Sequence, residues 1–142
     1  MATARHLLDR KGRAIFSIGP DDPVLEAIRM MAEHQVGALL VMKDERLLGI
    51  VSERDYARKV ILKGHSSADI PVSQIMSSPV ITVSLTNSVQ ECMQLMTSRR
   101  LRHLPVVEGG EVLGMISIGD LVKAVMEEQK QTIEQLESYI HS

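Results

Sequence analysis

Apolar positions along this chain change period in a fixed order, and then the same order starts again. A short apolar stretch, Ala14–Ile18, reads as a strand. Asp22-Pro23 then opens a run in which Val24, Ile28, Met31 and Ala32 recur at helical spacing, with the aspartate as N-cap and the proline in the first helical position. Ala38–Met42 is a continuous apolar run of strand length, Lys43–Arg46 a polar turn and Leu47–Val51 a further strand. A last helix begins at Glu53. From Val80 the series restarts. Val80–Val83 reads as a strand, Asn87-Ser88 opens a helix through Val89, Met93, Leu95 and Met96, and Leu104–Val107 and Val112–Ile116 read as strands around Gly109-Gly110. The closing helix starts at Ile118. With Ile18 placed over Val83, an offset of 65, Met31 meets Met96, Leu39 meets Leu104, Gly49 meets Gly114, Ser52 meets Ser117 and Asp55 meets Asp120. A shared offset that carries a glycine, a serine and an aspartate in order marks a duplication.

The fold class is therefore mixed α/β of the α+β kind, a strand-helix-strand-strand-helix unit used twice. A three-stranded sheet with helices on one side cannot bury both faces alone, so the pattern predicts a pseudo-twofold pair. The expected divisions are an N-terminal segment 1–13, a first unit 14–62, a linker 63–79 with a short helix near Val72–Met76, a second unit 80–127 and a helical extension 128–142. The last helix carries no Pro or Gly after Gly119, and Val122, Val125, Gln129, Ile133, Leu136 and Ile140 form one stripe on it. A lone exposed helix of that length is marginal in water, so it is expected to pack on another chain or on the segment around Leu7-Leu8.

Composition narrows the function classes. The chain has 142 residues, 44% of them hydrophobic and 24% charged, with a net charge of −2 and no Trp, so neither a basic nucleic-acid surface nor a base-stacking platform is indicated. The densest basic stretch, Ser98–His103, reads first as a solvated helix end, with Arg99 and Arg100 near its C-terminal carbonyls. The single cysteine, Cys92, lies in an apolar helical pattern and reads as a buried structural thiol. The five histidines show no metal-ligand spacing. Neither a signal-peptide core nor a membrane-length apolar run is present, which points to a cytoplasmic protein. No acid, base or nucleophile set stands out, so a binding or sensing module is expected rather than an enzyme.

The element Leu48-Gly49-Ile50-Val51-Ser52-Glu53-Arg54-Asp55, its echo Leu113-Gly114-Met115-Ile116-Ser117-Ile118-Gly119-Asp120, and Arg102-His103-Leu104-Pro105-Val106-Val107 resemble the signature of CBS domains, the cystathionine-β-synthase type. The resemblance spans about residues 14–126, and the doubled motif is similar to a stand-alone bacterial CBS pair, or Bateman module. It implies no catalytic cofactor but an adenine-nucleotide ligand in the clefts between repeats, AMP or ATP, with NAD(H) or S-adenosylmethionine as related ligands. Carried over by position, Asp55 and Asp120 match the ribose-gripping aspartate; Ser52 and Ser117 match the Ser/Thr near the phosphate, and Arg102 and His103 positions that reach phosphates. Ser17-Ile18 and Thr82-Val83 would offer backbone groups to the adenine. The family's habit also implies a homodimer, with the regulated partner unnamed.

Elementary chemistry is compatible with these roles. A cis-diol needs a bidentate acceptor, and a phosphate suits a helix N-terminus with a hydroxyl and a cation nearby. Arg54 adds a guanidinium beside Asp55, where the second copy has Gly119, so the two copies are expected to hold different groups. Gly37-Ala38 stand where the second copy has Arg102-His103. Ser-x-x-Asp ahead of an apolar helix is also a capping box, and duplication does not separate the readings, because both helices need caps. The alternative function is accordingly a structural or protein-interaction module with vestigial clefts; nucleic-acid binding by Arg99–His103 is a weak third competitor, and an enzyme is weaker still. Truncation after Glu127 should weaken self-association in sedimentation experiments, through loss of the apolar stripe beyond that point.

Overall fold

A computed structural model describes residues 2–141. The chain divides into two compact units. One runs from Ile15 to Ile81, and the other joins the N-terminal segment through Ala14 to the chain from Thr82 onward.

In the unit Ile15–Ile81, β1 (Ser17–Ile18) lies parallel to β2 (Ala38–Lys43), and β2 pairs antiparallel with β3 (Arg46–Ser52). Helix α2 (Val24–His34) buries Val24, Ala27 and Met31, while Ala32 falls outside that face and is exposed. A short α3 (Glu53–Tyr56) passes into a π-helical turn, Ala57–Ile61, which buries Val60. Ile18, Val24, Met31, Leu39, Val41 and Val51 form the centre of the core, completed by Ile70, Val72 and Ile75 from the linker. Pro23 is the N-cap rather than the first helical residue. The reason is a bridge between Pro23 and Pro71 that holds this stretch extended, with Val24 N–H donating to Ile70 O and Val72 N–H to Asp22 O. Asp22 instead accepts from Gly19 N–H at 2.9 Å, fixing the preceding turn.

The other unit contains α1 (Ala4–Lys11), α4 (Val89–Arg99), the antiparallel pair β4 (His103–Glu108) and β5 (Glu111–Ser117), and α5 (Ile118–His141). Cys92 is fully buried, and burial, followed by the nearby Glu91 charge, pushes its thiol pKa up, as suits an inert packing residue. The strand expected at Val80–Val83 does not form; only Val83 bridges β4, at Val106. Sequence chemistry supplies the reason. In the first copy Leu40 N–H donates to Phe16 O, extending β1, but the matching residue is Pro105, which has no N–H for Ile81. The hairpin turns differ similarly. Both need two left-handed residues: Gly109-Gly110 supply them freely, whereas Asp44 and Glu45 adopt φ of 52° and 65°.

The duplication extends further than the hydrophobic pattern shows. Thr3 bridges Ser88 and Val89 N–H donates to Ala2 O, as Pro23 bridges Pro71 and Val24 N–H donates to Ile70 O. The N-terminal segment thus does for the second copy what the linker does for the first. Each inserted segment lands on the glycine of the second hairpin strand. A Cβ on Gly49 would stand 2.7 Å from Met76 Sδ and 2.9 Å from Ser77 O, and one on Gly114 would stand 2.8 Å from Leu8 Cδ2. Those glycines are present because a side chain has no room. Gly114→Ala should cost about 1–3 kcal/mol in denaturant unfolding. Leu8→Ala in the same chain should cost less than the sum of the single changes, because the second substitution removes the atom the first one strikes.

Candidate functional site

Ser52 and Ser117 are the last residues of β3 and β5, where strand turns into helix, and each starts a capping box completed by an aspartate three residues on. Asp55 Oδ2 accepts from the Ser52 N–H and the Ser52 hydroxyl, both at 3.0 Å, and Ser52 Oγ accepts from Asp55 N–H at 3.2 Å. Asp120 Oδ2 accepts from Ser117 N–H at 2.8 Å, and Ser117 Oγ accepts from Asp120 N–H at 3.2 Å. Both aspartates therefore cap helices.

Capping occupies one oxygen of each carboxylate and leaves the second, and here the copies diverge. Asp55 Oδ1 lies 3.2 Å from Lys59 Nζ, one helical turn on. Lys59 also donates to Ile75 O at 2.9 Å, which ties this corner to the linker. In the second copy Ala124 matches Lys59, and the cation comes from α1 instead. Lys11 Nζ donates to Asp120 Oδ2 and to Met115 O, both at 2.7 Å. Among the described residues no hydrogen bond reaches Asp120 Oδ1. A groove of about 240 Å³ opens beside it, lined by Leu7, Arg10, Lys11, Asp120, Lys123, Ala124 and Glu127, with an Arg10–Glu127 ion pair across it.

The structure brings His103 and Ser117 together as partners across β4 and β5, and Ile118 N–H donates to Arg102 O at 2.8 Å. The second copy thus gathers Arg102, His103, Ser117, Asp120 and Lys11 around one strand-to-helix corner. In the first, Ala38 faces Ser52 and Glu53 N–H meets Gly37 O, so the corner has no equivalent of the Arg-His pair. Its exposed Arg54 sits on the first turn of α3. At Gly119 an added Cβ would meet only Ser117 Oγ, at 3.7 Å, so the approach there is open. Ser17 and Thr82 are exposed, whereas Ile18 and Val83 turn their side chains into the cores. Among the described residues β1 is an edge strand, paired only with β2. Tyr56 packs against the core of its unit.

Electrostatics at the second corner are set by Lys11. Burial pushes the Asp120 carboxyl up, but the Lys11 hydrogen bond, the Ser117 N–H and the Lys11 charge outweigh it and hold the carboxyl below its ordinary range. Burial pushes the His103 imidazole down, the Lys11 and Arg102 charges push it further down, and Asp120 opposes them. The balance of burial and neighbouring charge disfavours the imidazolium form of His103. Neither Lys11 nor Lys59 is among the candidates that the sequence suggests. Lys59 is discernible as the residue four positions after Asp55; Lys11 is not, because 109 residues separate it from Asp120.

A duplicated α+β unit with Ser-x-x-Asp at each strand-to-helix corner defines a class, and comparison with known proteins identifies it. The CBS domain model matches residues 11–62 and 72–127, and the chain belongs to that family. The second match begins within the linker, at Val72, and so takes in Met76 and Ser77, which insert beside Gly49. The mitochondrial CBS domain-containing protein CBSX3 of Arabidopsis thaliana is 44% identical over 125 residues; the match covers 84% of this chain but only 61% of the plant protein's length. A CBS-domain structure from Burkholderia ambifaria MC40-6 is 47% identical with a TM-score of 0.87, the match covering 90% of this chain and 96% of that one. The CBS domain pair of protein MJ0100, in complex with 5′-methylthioadenosine and S-adenosylmethionine, is 18% identical with a TM-score of 0.79 over 90% of this chain and 98% of that one. At that identity the likeness is one of fold.

Replacing Lys11 with Met should raise the pKa of both Asp120 and His103, since each loses a nearby cation, and NMR titration of the two side chains reads this directly. Stability should fall on acidification in the wild type. The contribution of Asp120 is present above its unfolded pKa and is lost as pH drops through its lowered folded value. His103 acts in the same sense, because the unfolded chain takes up its proton first as pH falls through the ordinary value of 6.5.

Proposed function

We propose that the protein is a non-enzymatic regulatory module that binds an adenine nucleotide, with AMP or ATP as the expected ligand and NAD(H) as a related one. The observation that carries this reading is the second corner. There a carboxylate spends one oxygen on capping and keeps Oδ1 without a partner among the described residues, beside a lysine, an imidazole, an arginine and the start of a helix. In the proposed complex Asp120 grips the ribose diol; Ser117, Arg102, His103 and the first turn of α5 face the phosphate, and Thr82-Val83 present backbone to the adenine. Asp55, Ser52, Arg54 and Ser17-Ile18 serve the other copy, in which Lys59 already occupies the second oxygen. The bound adenosine derivatives of the MJ0100 pair support this ligand class. The readout is a conformational change passed to a regulated protein, with the module acting as a homodimer. A ligand produces such a change only through differential affinity for two states.

A second reading has its own observation. Both aspartates are complete capping boxes, which is what a structural or protein-interaction module with vestigial clefts requires.

Calorimetry with AMP, ATP, NAD, NADH and S-adenosylmethionine separates the two. On the nucleotide reading at least one ligand binds the wild type. Asp120→Asn then weakens it by about ten- to a hundredfold, the worth of a hydrogen bond to a charged group, and Asp55→Asn weakens it less. If none binds the folded wild type, or if Asp120→Asn lowers only the melting temperature, the interaction module is the correct reading.

A further inference from the structure

Every residue of α5 from 128 to 141 is exposed, although the helix continues without a break from a corner where Leu121 is fully buried. Its 24 residues make a rod about 36 Å long. Along one side lie Val122, Met126, Ile133, Leu136 and Ile140, exposed by between 43% and 73%, with Gln129 in the same line. Met126 rather than Val125 completes the stripe, because Val125 is half-buried. The spacing is then strictly alternating fours and threes, the period of a two-helix seam, with Met126, Ile133 and Ile140 at one core position and Val122, Gln129 and Leu136 at the other.

We propose that α5 pairs with α5 of a second copy, antiparallel, with the crossing centred on Gln131. The charges flanking the stripe are complementary to themselves only in that direction. Reversal sets Met126 against Leu136 of the second copy, Ile133 against Gln129, and Ile140 against Val122, so five of the six stripe positions are apolar and each Gln129 amide must turn to the solvent edge of the seam, at some cost. It also sets Lys123 against Glu137, twice in each dimer, at the cost of one Lys130–Lys130 approach at the centre. A parallel pair would let Gln129 hydrogen-bond Gln129, but it would place Lys130 beside Val125 and Glu137 beside Thr132, with no opposite charges facing. The proposal gives the homodimer of the preceding reading a surface and a direction. It does not depend on nucleotide binding, so sedimentation and calorimetry fail separately.

The test uses the full chain. In analytical ultracentrifugation, Lys123→Glu and Glu137→Lys should each weaken the dimer by about tenfold, and the double variant should regain most of the loss, because the facing charges are again opposite. Direction is read by cross-linking. A mixture of Met126→Cys and Leu136→Cys chains should form a disulfide dimer containing one of each. Leu136→Cys alone should not cross-link, because its two copies lie about 15 Å apart in the antiparallel pair, beyond disulfide reach. Wild type, whose only thiol is the buried Cys92, is the control. A monomeric wild type, charge reversals that leave the dissociation constant unchanged, or self-cross-linking of Leu136→Cys would each overturn the proposal.

Discussion

Each unit of this protein depends on the close approach of a segment from outside the duplicated repeat to one glycine in its second hairpin strand. A sheet of two or three short strands has more apolar surface than the helices of its own repeat cover. The shortfall is met by Leu7 and Leu8 of α1 in one unit and by Val72, Ile75 and Met76 of the linker in the other. Leu8 and Met76 come so near the strand that Gly114 and Gly49 have no room for a β-carbon. From this packing follow the division of the chain, with its N-terminus joined to the unit from Thr82 onward, and the bridges that hold the start of each helix extended.

The same insertion supplies the charge at the second corner. Because α1 lies against β5, Lys11 at its end reaches Asp120 and Met115 O, and that one ammonium lowers the carboxyl and disfavours the imidazolium of His103 together. In the other unit the linker carries no such lysine, and the cation arises locally, from Lys59 on the π-helical turn. Two corners with the same Ser-x-x-Asp thus differ in where their lysine comes from and in which carboxylate oxygen it takes. The motif's structural and chemical uses are compatible, because capping engages Oδ2 and leaves Oδ1. In the first copy Lys59 then takes that oxygen, whereas in the second Asp120 keeps it.

Much of this architecture is legible in the amino-acid sequence. The helices at Val24 and Val89, the paired hairpins, and the long closing helix follow from local periodicity, because burial on one face imposes it. The shared offset brings Ser52 over Ser117 and Asp55 over Asp120, and these residues sit at the corners where the pattern places them. Less is visible at strand edges. Val80–Val83 reads as a strand from its own residues, but a strand also needs donors from its neighbour, and Pro105 withholds one. Asp22 reads as a helix cap and serves a turn instead, since Pro71 pairs with Pro23.

By itself, the sequence determined the duplicated unit, its order of elements, and the residues at each strand-to-helix corner, because all of these rest on neighbours within a few positions along the chain. Tertiary structure alone decided that the N-terminal segment completes the second copy, that Lys11 sits on Asp120, and that Met126 rather than Val125 faces outward on α5. Those outcomes depend on contacts between residues far apart in the chain or on which side of a helix the core happens to take, and no local period records either.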